Sequence, residues 1–87
     1  MTLIVRVNMF TATQMAYVTG FGGEVKKTFT IGTDRLEKDI VNICENEDIY
    51  NVVISGPMMY TKGFEKKIRQ AELAKYNQHK LDIQLIK

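Results

Sequence analysis

Apolar and polar positions alternate along residues 3–10: Leu3, Val5, Val7 and Met9 share one face, and Ile4, Arg6, Asn8 and Phe10 share the other. A period of two predicts a strand, and a strand partly apolar on both faces belongs in the middle of a sheet. Thr11-Ala12-Thr13 predicts a short turn. Residues 14–19 predict a second strand, with Met15, Tyr17 and Thr19 opposite Ala16 and Val18. Gly20-Phe21-Gly22-Gly23 reads as a hairpin loop, because glycine reaches the positive φ angles that such loops need. Residues 24–31 predict a third strand, with Val25, Lys27, Phe29 and Ile31 against Lys26, Thr28 and Thr30. Its lysines and threonines place it at an edge, where charge discourages unwanted pairing.

The period then changes. Asp34 and Glu37 have the spacing of a capping box, and Leu36, Ile40, Ile43 and Cys44 follow at helical spacing, widened by Val41. A helix ending near Glu47 is expected. Residues 50–55 hold the consecutive apolar run Val52-Val53-Ile54, read as a central parallel strand buried on both faces. Gly56-Pro57 stops it, since proline cannot donate to a ladder. A second helix is expected from Tyr60 or Thr61 to Tyr76. Phe64, Ile68 and Ala71 form its apolar stripe, Ala74 lies at the margin, and Leu73 projects away. Leu81, Ile83 and Leu85 alternate with Asp82 and Gln84 and predict a last strand.

The order β-β-β-α-β-α-β predicts a single α/β domain spanning residues 1–87. Its first three strands form an antiparallel meander. The two later strands, reached through crossover helices, run parallel to the first, giving one mixed five-stranded sheet.

Composition narrows the class. The chain has 87 residues, of which 45% are hydrophobic and 25% charged, which favours a folded globular domain over disorder. The net charge of +2 is too mild to predict nucleic-acid binding by itself. The N-terminal apolar run is interrupted by Arg6 and Asn8 and lacks a signal peptide's pattern, and no run approaches the ~20 residues of a membrane span. A cytoplasmic location is expected. Cys44 is the single cysteine, set in an apolar helical stripe, and is read as a buried structural thiol.

The order of elements resembles the ribonuclease H-like core, and the resemblance covers nearly the whole chain. In that family carboxylates on the first strand, in the first helix, at the end of the fourth strand and in a later helix hold divalent metals that activate water. Here the first strand carries Asn8 near its end and no acid, and the fourth ends in Ser55. Glu37 and Asp39 lie on the first helix, where a solvated face accounts for them. The further helix of the nucleases is expected to be missing. The resemblance therefore implies a minimal core without nuclease activity, catalytic residues, metal or cofactor. Actin-like and sugar-kinase halves share the sheet order, but they need a first-strand acid and glycine-rich phosphate turns, and Gly20–Gly23 joins two strands instead. In size and style the chain is similar to small phage or mobile-element accessory proteins.

Three places remain as candidate sites. The corner from Ser55 to Gly63 combines a strand stop with a helix start and could take a small anion or nucleotide, though the GxxxxGK[ST] spacing is absent. Within it, Met58, Met59 and Tyr60 form an apolar turn suited to an adaptable protein interface. Lys62, Lys66 and Arg69 fall at i, i+4 and i+7 and could meet nucleic-acid phosphates; Glu65 and Glu72 dilute that stripe. His79 has no ligand partner at metal spacing. The first helix is acidic and the second basic, so they could complement each other within one domain or between copies.

The expectation is a non-enzymatic interaction module that binds a protein partner or itself, a homodimer being the commonest oligomer. A nucleic-acid-binding accessory protein using the basic second helix is the alternative. A small-ligand or nucleotide binder at the 55–63 corner is the third reading.

Overall fold

The computed structural model describes residues 1–8 and 10–86, and for 58–62 it describes the backbone alone. The strands are β1 (Thr2–Arg6), β2 (Thr13–Thr19), β3 (Val25–Gly32), β4 (Asn51–Ser55) and β5 (Asp82–Ile86). The helices are α1 (Leu36–Glu47), preceded by a 3-10 turn at Thr33–Arg35, and α2 (Met58–Tyr76). The strands form one mixed sheet in the order β3-β2-β1-β4-β5. β1 pairs antiparallel with β2 and parallel with β4; β2 pairs antiparallel with β3, and β4 pairs parallel with β5. No helix of the described residues is long and apolar enough to cross a membrane.

Alternation in the strands builds the core. Leu3, Val5, Ala16, Val18, Ile31, Val52 and Ile54 all point to one face of the sheet and are buried. From α1, Leu36, Ile40, Val41 and Cys44 meet them, and from α2, Phe64 and Ile68. The two helices also pack on each other, so both lie on this same face. Their opposite charges meet within the domain, through Lys75–Glu45 at 3.1 Å and Lys67–Glu37 at 3.8 Å. Exposed pairs of this kind contribute ~0.2–1 kcal/mol each.

The other face of the sheet is uncovered, which corrects the reading of β4. Val52 and Ile54 are buried, but Val53, between them, is only half-buried. The strand is internal in its hydrogen bonding, with β1 and β5 on either side, yet apolar packing reaches one of its faces only.

β1 is shorter than its pattern, because Asn8 leaves the ladder: its N–H is taken by the Gln14 side chain. Asp34 does not cap a helix. It sits in the 3-10 turn, and neither that turn nor α1 has a side-chain cap bond. α2 begins at Met58, directly after Pro57, whose φ of −58° suits a helix entry.

A bulge changes the outer strand. Val18 pairs with Lys27 but Thr19 pairs with Val25, leaving Lys26 as the extra residue. Val25 thereby moves to the uncovered face, away from Phe29 and Ile31 with which its spacing grouped it. Lys27 stays on the helix side and reaches Glu47 of α1 at 2.5 Å.

Candidate functional site

Three polar or exposed regions stand out on the fold. The first lies where the C-terminal ends of β1 and β4 meet. Arg6 is opposite Ser55, and the Val7 N–H donates to the Ser55 carbonyl at 2.8 Å. Gln14, at the start of β2, is 1% exposed and organises the neighbouring turn. Its Oε1 accepts the Asn8 N–H at 2.6 Å, while its Nε2 donates to the Asn8 carbonyl at 2.8 Å and to Thr33 Oγ1 at 2.9 Å. Thr33 Oγ1 donates on to the Thr11 carbonyl at 3.0 Å. This network holds the β1–β2 turn against the entrance of α1, and its polar atoms are spent on one another. Asn8 and Ser55 occupy the corner without a carboxylate. Among the described residues no three His, Cys, Asp or Glu side chains converge as a metal site would require. The side chains of Met58, Met59, Tyr60, Thr61 and Lys62 lie outside the described residues, and with them most of the 55–63 corner.

The second region joins α2 to β5. Glu72 is fully buried, although its charge suggested a solvent-facing position in the basic stripe. It continues the spacing of Phe64 and Ile68 by one more i+4 step, and that was the signal in the sequence that it points inward. Its Oε2 accepts the backbone N–H of Lys80 at 2.5 Å and that of Leu81. Its Oε1 accepts from Arg69 Nη1 at 2.9 Å and lies 3.0 Å from His79 Nδ1. Burial pulls the Glu72 carboxyl upward, but the hydrogen bonds from Leu81, His79, Arg69 and Lys80 outweigh it and hold the group below its usual range. Arg69 also donates to the Leu81 carbonyl at 2.7 Å.

This arrangement divides the basic stripe. Lys66 is exposed, whereas Arg69 is half-buried and committed to Glu72 and Leu81. Lys80 lies 5.2 Å from the Tyr76 ring centre. His79 belongs to the Glu72 cluster. Burial, and the nearby Glu72 charge after it, push the Cys44 thiol up to about 12. An inert thiol fits the structural role expected of it.

The third region is the uncovered face of the sheet. Ile4, Met15, Tyr17, Val25, Val53 and Ile86 present apolar surface there, and Met15, Val25 and Ile86 are 37%, 58% and 50% exposed. The Arg6 guanidinium lies 6.0 Å from the centre of the Tyr17 ring. Arg6, Ile4, Tyr17, Thr19, Gly23 and Val25 line a hollow of about 260 Å³. That is below the ~300–1,000 Å³ of typical small-molecule pockets. The face is shallow and mixed, with Thr28, Thr30, Asn51 and Gln84 around the apolar positions. The sequence reading missed it because Val52-Val53-Ile54 suggested a layer on both sides.

No family model, curated protein or solved structure matches the chain.

Proposed function

We propose that this chain is a non-enzymatic interaction module with a ribonuclease H-like core, and that it binds a protein partner through the uncovered face of its sheet. The strand order β3-β2-β1-β4-β5, with its antiparallel meander and parallel additions, supports the likeness to that core. The observation that carries the reading is the uncovered face itself: apolar side chains from all five strands, set among polar neighbours and without a helix above them. Protein interfaces combine a few aromatic and apolar anchors with a polar rim in this way. Tyr17, backed by Arg6, is the central anchor, because these two residue types dominate binding energy at such surfaces. The corner of β1 and β4 supports absence of nuclease chemistry, since Asn8 and Ser55 stand where the fold's acids would be. The commitment of Arg69 to Glu72 weighs against the nucleic-acid reading.

The test is site-specific photo-crosslinking. A photoreactive group is placed at Tyr17 or, as control, at Asn42 on the exposed surface of α1, in chain expressed in its native cells. Defined protein adducts from position 17 and none from position 42 are expected. Equal labelling from both positions, or none from position 17, would overturn the proposal.

A further inference from the structure

β5 ends one side of the sheet, and among the described residues its outer edge meets no other strand. The Asp82 N–H donates to the Tyr50 carbonyl and the Ile86 carbonyl accepts the Gly56 N–H. Asp82, Gln84 and Ile86 therefore turn their backbone groups inward to β4, and Leu81, Ile83 and Leu85 turn theirs outward. The outward groups of Leu81 are already satisfied, its N–H by Glu72 and its carbonyl by Arg69. Among the described residues, the outward N–H and carbonyl groups of Ile83 and Leu85 have no partner.

The two edges of the sheet differ. β3 is defended by Lys26, Lys27 and the bulge between them and β2. β5 has no proline, lysine or bulge within Asp82–Ile86.

We propose that the edge of β5 pairs antiparallel with β5 of a second copy, about a two-fold axis through Gln84. The register explains why the occupant is a copy of the same strand. Centred on Gln84, Ile83 faces Leu85 of the second copy, and Leu85 faces its Ile83. The four free groups of each strand then form four interchain hydrogen bonds in two closed pairs, the pattern of an antiparallel ladder. Gln84 faces Gln84 on the uncovered side, and Asp82 faces Ile86, so no like charges are opposed. A longer foreign strand would run against Leu81, whose edge groups Glu72 and Arg69 already hold. Among the described residues the free window is two residues long, and it fits a strand with the same window. On the helix side, the half-buried Ile83 and Leu85 continue their apolar layer across the junction. Leu73, 45% exposed, lines a groove with Arg69 and His79 on this flank of α2, where the second copy arrives. Two sheets of five strands become one of ten, and the contact belongs to the small, reversible class of interfaces. It uses an edge and not the uncovered face, so it stands or falls apart from the binding reading above.

Sedimentation velocity over a concentration series tests it, on the wild-type chain, Gln84→Lys, Gln84→Glu and a 1:1 mixture of the two variants. Gln84 is exposed, so circular dichroism should show all three chains equally folded. Reversible wild-type dimerisation is expected, weakened roughly fivefold or more in each variant alone by the like charges placed opposite each other. The mixture should recover it, because lysine then faces glutamate. In the wild-type chain, amide exchange at Ile83 and Leu85 should slow as concentration rises. A wild-type monomer at every concentration would overturn the proposal. So would a dimer indifferent to Gln84→Lys, a mixture that stays monomeric, or exchange at Ile83 and Leu85 independent of concentration.

Discussion

Removing the Glu72 carboxylate should be the most damaging single change among the polar residues. In Glu72→Ala, the N–H groups of Lys80 and Leu81, the Arg69 guanidinium and the His79 ring all lose an acceptor at once. Leu81 is 4% exposed, so water cannot readily replace what its N–H loses. Breaking a buried charged cluster from one side costs about 3–5 kcal/mol. A domain of this size holds only ~4–13 kcal/mol in total. With a urea m-value of about 1–2 kcal/mol/M, the unfolding midpoint should fall by roughly 1.5–5 M. Glu72→Gln keeps one acceptor oxygen and turns an NH2 group toward donors, so about half that loss is expected. The carboxyl is held below its usual value, so its contribution is fully present above the unfolded carboxyl's range near 4.5 and is lost as pH falls through the folded value. Wild-type and Glu72→Gln midpoints should therefore converge in acid. Urea titrations followed by circular dichroism, at neutral pH and at about pH 3, provide the measurement. A loss below ~1 kcal/mol in Glu72→Ala, or a wild-type advantage undiminished in acid, would refute the assignment of Glu72 as the clasp between α2 and β5.

Other expectations are smaller. Gln14→Leu keeps the apolar stem but leaves the Asn8 N–H without its acceptor and takes one donor from the Asn8 carbonyl, which keeps those of Thr11; a loss of about 1–3 kcal/mol in urea unfolding is expected. Cys44 should resist a thiol reagent at neutral pH until the chain unfolds, so labelling should track denaturant and not reagent concentration. Gly23 has a φ of 83° with open space around it, so Gly23→Val should cost ~1–2 kcal/mol through backbone strain alone, seen as a lower thermal midpoint. Lys27→Ala should change stability by less than ~1 kcal/mol despite its short contact with Glu47, because the lysine side chain is 60% exposed.

The element order was legible because apolar spacing decides it. Alternation in residues 3–7, 14–19 and 81–85 and the Leu36, Ile40, Cys44 spacing each admit one kind of element. What was not legible depends on contacts across the sheet. Nothing local to residues 24–31 reports the bulge at Lys26, since the extra residue is defined only against Val18 and Thr19 of the next strand. The uncovered face was hidden by Val53, a β-branched residue favoured in strands whether or not a layer covers it. Glu72 was misread because charge outweighed position: the stripe of Phe64 and Ile68 pointed it inward, while a carboxylate is rarely buried unless several donors meet it. Those donors come from Arg69, one turn earlier on α2, and from residues 79–81 beyond the helix. The 55–63 corner remains an expectation from sequence, because the side chains of residues 58–62 lie outside the described residues.

The extra residue in β3 has a consequence for how copies of the chain could add to one another. A sheet with two usable edges can grow without limit, since each added molecule offers a fresh edge. If β5 pairs with its copy as proposed, a bulge that twists the β3 edge out of reach caps that growth at a pair. Deleting Lys26 would restore an even ladder between β2 and β3 and straighten the outer strand. Such a variant should no longer stop at a discrete oligomer and should instead lengthen into fibrils, visible by electron microscopy. A single backbone irregularity would then be what separates a reversible assembly from a polymer.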